Sequence, residues 1–302
     1  VLDISASVSA SAKVGIGGSI AVNNITGNTI AGIDNNYVDD AGVTQTKSGI
    51  IITGYKLAQA KAKDDSIIKS LAGGVAFGGN AGIGGSVAVN KISGTTGASL
   101  NNVSLSADTV LVKAENDSTI WTLAAGIGGG GTVAVQGAAA TGEIGRTISA
   151  KMNGVTSNNT NSSVDVAADS TGAINSSAAV ISIGGTAGIG AGVTVNRMSD
   201  NVSASLTGGN LTLKDLELRS KASQTIKTIG AAGSGGGTAG VSGSVAYNKI
   251  ATNNKAYIDG NALITVEDNV GVIAQTDDTL MNYAGVVAIG GTAGVGAAVA
   301  VN

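Results

Sequence analysis

The residues of this 302-residue chain best suited to chemistry are carboxylates, amides and glycines, because it has no histidine, cysteine or proline. Without histidine it lacks the usual general base and the commonest metal ligand. Without cysteine it has neither thiolate ligands nor disulfides. Oxygen ligands remain. Asp34, Asp39 and Asp40, with Asn35 and Asn36, form the densest acidic and amide cluster, and Asp277-Asp278 a smaller one. Calcium needs about six to eight converging oxygens. Neither an EF-hand loop nor a Gly-Gly-x-Gly-x-Asp repeat accompanies these residues, so solvated turns are the simpler reading and no metal or other cofactor is expected. Gly126–Gly131 and Gly235–Gly240 satisfy Gly-x-Gly-x-x-Gly. A dinucleotide fold needs that motif between a strand and a helix, and no helical pattern follows either copy. The acids recur singly at turns, and one Trp, one Phe and five Tyr offer little platform for sugar rings. No catalytic residue is therefore assigned, and a polysaccharide-degrading enzyme ranks below structural roles.

These residues sit in a chain that repeats. A Gly-rich apolar segment ending in an amide occupies 15–23, 82–90, 128–136, 188–196, 240–248 and 294–302, closing on Asn23, Asn90, Gln136, Asn196, Asn248 and Asn302. A polar turn supplies a second anchor at Ser66, Ser118, Ser170, Ser223 and Thr279, with steps of 52, 52, 53 and 56 residues (66 to 118 to 170 to 223 to 279). The terminal amides read as turn residues, since Asn tolerates the left-handed conformation. A fixed period of this size marks a stacked array. The units run approximately 1–66, 67–118, 119–170, 171–223, 224–279 and 280–302, one continuous array over 1–302. Both ends open in mid-pattern, which predicts an internal piece of a longer chain with export signals elsewhere.

Within each unit, apolar residues alternate with period two. In the second copy Ile83, Gly85, Val87 and Val89 share one face, and Gly84, Ser86, Ala88 and Asn90 the other. This is the strand signal, and it predicts an all-β fold. Short strands with a fixed period and no proline suit a parallel β-helix, with two to three rungs per unit of roughly 53 residues. The uncharged stretches 178–195 and 284–301 just reach the length of a membrane span, but their Gly and β-branched content fits strands, and no membrane insertion is expected. The net charge of −3 argues against nucleic acid. Many of the sequons at Asn24, Asn102, Asn116, Asn158, Asn161, Asn175, Asn201 and Asn210 are expected by chance in so polar a chain, with glycosylation as the alternative reading. The small strip of Gly84, Ser86 and Ala88, with Gly296, Ala298 and Ala300 in the last copy, would form a packing face between chains if it pointed outward.

The pattern Gly-Ile-Gly-Gly-Ser-Val-Ala-Val-Asn (82–90), then Lys-Ile-Ser-Gly (91–94) and Asp-Thr-Val-Leu-Val-Lys-Ala-Glu-Asn (108–116), resembles the repeat region of large secreted leukotoxin and filamentous-haemagglutinin-like bacterial adhesins. The resemblance covers essentially the whole chain. It implies a right-handed parallel β-helix shaft, export through an outer-membrane secretion partner, and a place at the cell surface or outside the cell. Receptor contacts with host or bacterial cells would lie outside this segment. No functional residue of that family carries over. The alternative expectation is a self-assembling extracellular filament, with copies of the chain or other matrix components as partners.

Overall fold

The computed structural model describes residues 1–34, 36–38, 44–46 and 50–302. Among these residues the chain is all β, with no helix. The strands begin with β1 (Leu2–Ser11), β2 (Val14–Asp34), β3 (Asn36–Val38), β4 (Thr44–Thr46), β5 (Ile50–Gly78) and β6 (Ala81–Asn101). They continue through β7 (Val103–Gly130), β8 (Val133–Asn153), β9 (Thr156–Asn158), β10 (Ser163–Gly184), β11 (Ala187–Met198) and β12 (Asn201–Thr207). The last are β13 (Asn210–Gly236), β14 (Ala239–Ile250), β15 (Asn253–Asp259), β16 (Leu263–Gly290) and β17 (Ala293–Val301).

Two sheets result, and the chain alternates between them. The first runs β1-β5-β7-β10-β13-β16, with β9 beside β7 and β13. The second runs β2-β6-β8-β11-β14-β17, with β12 and β15 extending it. Every pairing in both is parallel, while β3 and β4 make a small antiparallel hairpin in the long insertion of the first repeat. Each strand pairs with its own counterpart one repeat away, as Val110 does with Ala58 and Val164.

This register corrects the expected rung count. One repeat supplies one pass through each sheet, not two to three rungs. The strands are longer than the sequence suggested, with 28 residues in β7 and 21 in β8, so one pass out and one back consume the whole unit. At a strand spacing of ~4.8 Å, six strands stack to only about 24 Å between first and last.

The sheets pack face to face and run in opposite directions. Inward side chains therefore form horizontal layers that shrink along the strand. Val110, Val112 and Ala114 meet Ile148 and Ala150 in a bulky aliphatic layer. Ile68, Ile120, Ile174 and Ile226 then face Ile92, Ile144 and Met198. Beyond them lies an alanine layer of Ala72, Ala124 and Ala178 against Ala88, Ala138 and Ala140. Each fully buried Ile contributes about 1.5–3 kcal/mol. Nearest the turn the layer is glycine, because the sheets have converged. A Cβ on Gly82 would collide with the Gly129 carbonyl, and one on Gly188 with that of Gly235.

Candidate functional site

The residues singled out by sequence lie mostly in the interior. Ser86 and Ala88 are buried, and the Ser86 hydroxyl donates to the Ala125 carbonyl at 2.6 Å. The strip of Gly84, Ser86 and Ala88 thus faces the opposite sheet, not a neighbouring chain. It is small because the sheets approach closely there, and Ile83 and Val89 are exposed instead. Gly296, Ala298 and Ala300 occupy the equivalent places on β17, which pairs with β14, and they are exposed.

The amides are corrected as well. Asn23, Asn90, Asn196 and Asn248 are buried within strands rather than at turns. They form a ladder: Asn23 Nδ2 donates to Asn90 Oδ1 at 2.9 Å, and Asn196 Nδ2 to Asn248 Oδ1 at 3.1 Å. Thr122 and Thr228 accept from Asn90 and Asn196 across the interior at 2.7 and 2.8 Å. Gln136 does not belong to this ladder. It pairs with Gly84, while Gly142 pairs with both Asn90 and Asn196. The uneven amide spacing thereby becomes regular, 52 from 90 to 142 and 54 from 142 to 196. Gln136 instead fills the space left by three glycines, since a Cβ on Gly84, Gly126 or Gly128 would crowd its amide. The polar anchor shifts too: Ser170 pairs with Asn116, and Gly172 is the partner of Ser118.

The Gly126–Gly131 motif runs off the end of β7 into the turn that leads to strand β8, so no helix follows it. Asp39 and Asp40 lie outside the described residues. Asp34 ends β2, where its Oδ2 accepts from Asn101 Nδ2 at 3.4 Å. Among the described residues no three acidic side chains gather as a metal site. No helix among the described residues is long and apolar enough to cross a membrane.

Sequence reasoning missed a buried ionic network centred on Arg146 and Asp200. These residues stand side by side on one interior ladder, as the register Thr147↔Asn201 requires. The Arg146 side chain is 0% exposed. It pairs with Asp64 at 3.0 Å and donates to the Ser93 carbonyl at 2.8 Å and to Thr96 Oγ1 at 3.1 Å. Asp200 is also buried, and accepts from the Arg146 backbone N–H (3.0 Å), Ser170 Oγ (2.9 Å) and Gln224 Nε2 (2.8 Å). Burial alone would push the Asp64 carboxyl up. The hydrogen bond from Ser66, the charge and hydrogen bond of Arg146 and the hydrogen bond from Thr29 outweigh it and hold that carboxyl below its ordinary range. For Asp200, burial wins over the same kinds of partner and pushes the carboxyl up. The one available signal was Arg146 lying among apolar residues of strand period, in a repeat whose counterpart is Gly94.

A raised carboxyl favours the fold below its ordinary pKa, and that contribution is lost as pH rises through the raised value. Asp200→Asn removes the penalty at neutral pH. Gln224 Oε1 has no donor in the native interior, so a flipped Gln224 amide accepts from the new Asn Nδ2. The variant should be more stable than the parent at pH 7 by on the order of 1 kcal/mol. The advantage should shrink as pH falls below neutrality. Melting curves of both proteins at several pH values between about 4 and 8 check this, and a pH-independent difference would remove Asp200 as the titrating group.

Outward, the two halves of the molecule differ. The half over the aliphatic layer carries alternating charges, with Lys61–Glu115 at 3.0 Å, Lys113–Glu115 at 2.5 Å and Arg219–Asp169 at 3.6 Å. The half over the alanine and glycine layers is apolar on both outer faces. Where the halves meet, a groove of about 860 Å³ crosses the first sheet along the stacking direction. Lys69, Trp121, Asn175 and Lys227 form one side of it, and Leu71, Leu123, Ile229 and Tyr283 the other. Trp121 is 53% exposed. An elongated apolar chain or flat ring would lie in this groove across the strands, with the two ammonium groups beside it.

Comparison with protein-family models, with curated proteins and with solved structures found no match to this chain.

Proposed function

We propose that this chain is a length of β-helical shaft in a bacterial cell-surface or extracellular filamentous adhesin, without a catalytic role. The observation that carries the reading is the register: every long strand pairs in parallel with its own counterpart one repeat away. A chain that passes alternately through two parallel sheets advances by one strand spacing per repeat, and the general preference for right-handed crossovers makes it a right-handed coil. Such a stack has a core at every level and extends by adding repeats, which suits a spacer that holds a binding tip away from a surface. Export through an outer-membrane partner and contact with receptors by other parts of the adhesin follow from the same reading.

The test is length. Duplicating the stretch 119–224, which the register makes two whole coils because Thr119 matches Ala173 and then Thr225, should lengthen the stack by about 10 Å, two strand spacings. Small-angle scattering or electron microscopy of the parent and the longer chain reads the change. An extension of 20 Å or more would restore multiple rungs per repeat, and a longer chain that grows in width alone would overturn the shaft.

A further inference from the structure

We infer that the outer face of the second sheet, over the Gly-rich half, is an interface between copies of this chain. The face consists of the five outward positions on each of β2, β6, β8, β11, β14 and β17, from Val14, Ala81, Val133, Ala187, Ala239 and Ala293 to Val22, Val89, Thr141, Val195, Tyr247 and Val301. None of these residues carries a charge, and Thr141 and the Tyr247 hydroxyl are the sole polar groups among their side chains. Charge returns abruptly at the next outward row with Lys91, Glu143, Arg197 and Lys249.

The extent of the face sets the class of partner. Nine residues of strand at ~3.3 Å by six strands at ~4.8 Å give about 850 Å². That exceeds the apolar patch of an ordinary monomer and equals one side of a standard protein interface. Its relief points to a second copy. The middle row, Gly18, Gly85, Gly137, Ala191, Gly243 and Ala297, is a shallow trough along the stacking direction. Branched side chains rise on both sides of it, including Ile83 and Ile189 on one and Val193 and Val245 on the other. The fold does not demand this trough: a Cβ built on Gly137 or Gly243 meets nothing within 4 Å. Another copy carries ridges with the same spacing along the same axis, so a ridge of one chain seats in the trough of the other. With no charge on the face, two copies meet without repulsion. A bilayer would gain from the apolarity, but fluid lipid tails gain nothing from the relief. The inference goes beyond the shaft reading and does not depend on it.

Sedimentation velocity on the whole chain tests it. The parent should be a dimer or larger at about 10 µM. Gly137→Lys combined with Gly243→Lys, both entering open space, should sediment as a monomer, with dissociation raised at least tenfold. Circular dichroism and melting temperature should match the parent. Ala179→Lys, on the outer face of the first sheet, should assemble like the parent. A monomeric parent overturns the inference, as does a double variant that still assembles. Loss of assembly in Ala179→Lys alone would move the interface to the first sheet. Flotation with neutral phosphatidylcholine vesicles adds a last arm: a parent that is monomeric in buffer and floats with the vesicles has a bilayer, not a copy, on this face. The length measurement stands or falls separately.

Discussion

Arg146→Ala should cost about 3–5 kcal/mol of stability, the usual effect of removing one partner of a buried ion pair. The guanidinium is shut away from water, and its two terminal nitrogens pair with Asp64, the Ser93 carbonyl and Thr96. Its loss strands a carboxylate that is itself largely covered, and empties a buried volume between the layers of Ile144 and Ile148. Arg146→Met, which fills most of that volume, should recover the packing part alone. Adding Asp64→Ser to Arg146→Met should recover most of the remainder, because the uncompensated charge has gone. The pH dependence offers a second reading. A lowered carboxyl supports the fold above its unfolded pKa, and that support is lost as pH falls through the folded value. Arg146→Met should therefore flatten the acid limb of the stability curve that Asp64 contributes. Chemical denaturation of the three variants measures these steps. A loss below about 1 kcal/mol for Arg146→Ala would mean that the ion pair is no more than an exposed one in energetic terms.

Gly184→Ala should be nearly as damaging, by about 3 kcal/mol or more, although it adds a single methyl group. Gly78, Gly130, Gly184, Gly236 and Gly290 stack on one another at the end of the first sheet. A Cβ on Gly184 would fall on the carbonyl oxygen of Ala187, and each of the other four meets the carbonyl of the matching residue three positions on. Backbone has to yield, and here it is tied to its neighbours. The Gly185 N–H donates to the Gly130 carbonyl at 2.9 Å, and the Thr238 N–H to that of Thr186 at 2.9 Å. Overpacking against backbone at such a place exceeds the ordinary cost of an extra methylene. Hydrogen exchange at Thr186 and Thr238 should accelerate along with the loss of stability. Gly73→Ala is the control, since a Cβ there meets nothing; it should be neutral or slightly stabilising. Equal behaviour of the two variants would show that the convergence of the sheets is not what requires glycine at the turn.

Both predictions rest on features that were unevenly legible beforehand. Period-two alternation, β-branched residues and the absence of proline dictate strands through backbone sterics and ladder hydrogen bonding. The recurrence of the Gly-rich segment dictates that equivalent strands stack. Those are local or translational properties, which a linear pattern carries. Which face turns inward is different. Ile83, Val87 and Val89 look like the core side of their strand, and Ser86, Ala88 and Asn90 like the solvent side. The fold reverses this, because the opposing sheet lies too close for branched side chains and the buried amides donate to the next amide or to a facing threonine. Sheet separation is a property of two strands far apart in sequence, so no alternation within one strand reveals it.

The same limit explains the misplaced anchors and the missed ion network. Gln136 and Ser170 resemble their supposed counterparts in type, but register is decided by hydrogen bonding along whole strands, which moved the matches to Gly142 and Gly172. Arg146, Asp64 and Asp200 are distant in sequence and belong to different repeats, and only the stacking of one coil on the next brings them together. By itself, then, the sequence determined the strand character and the repeat, since each follows from local sterics and periodicity. The tertiary structure alone decided the length of a coil, the inward face and the buried charges, since each depends on how closely two sheets approach and which residues that approach makes neighbours.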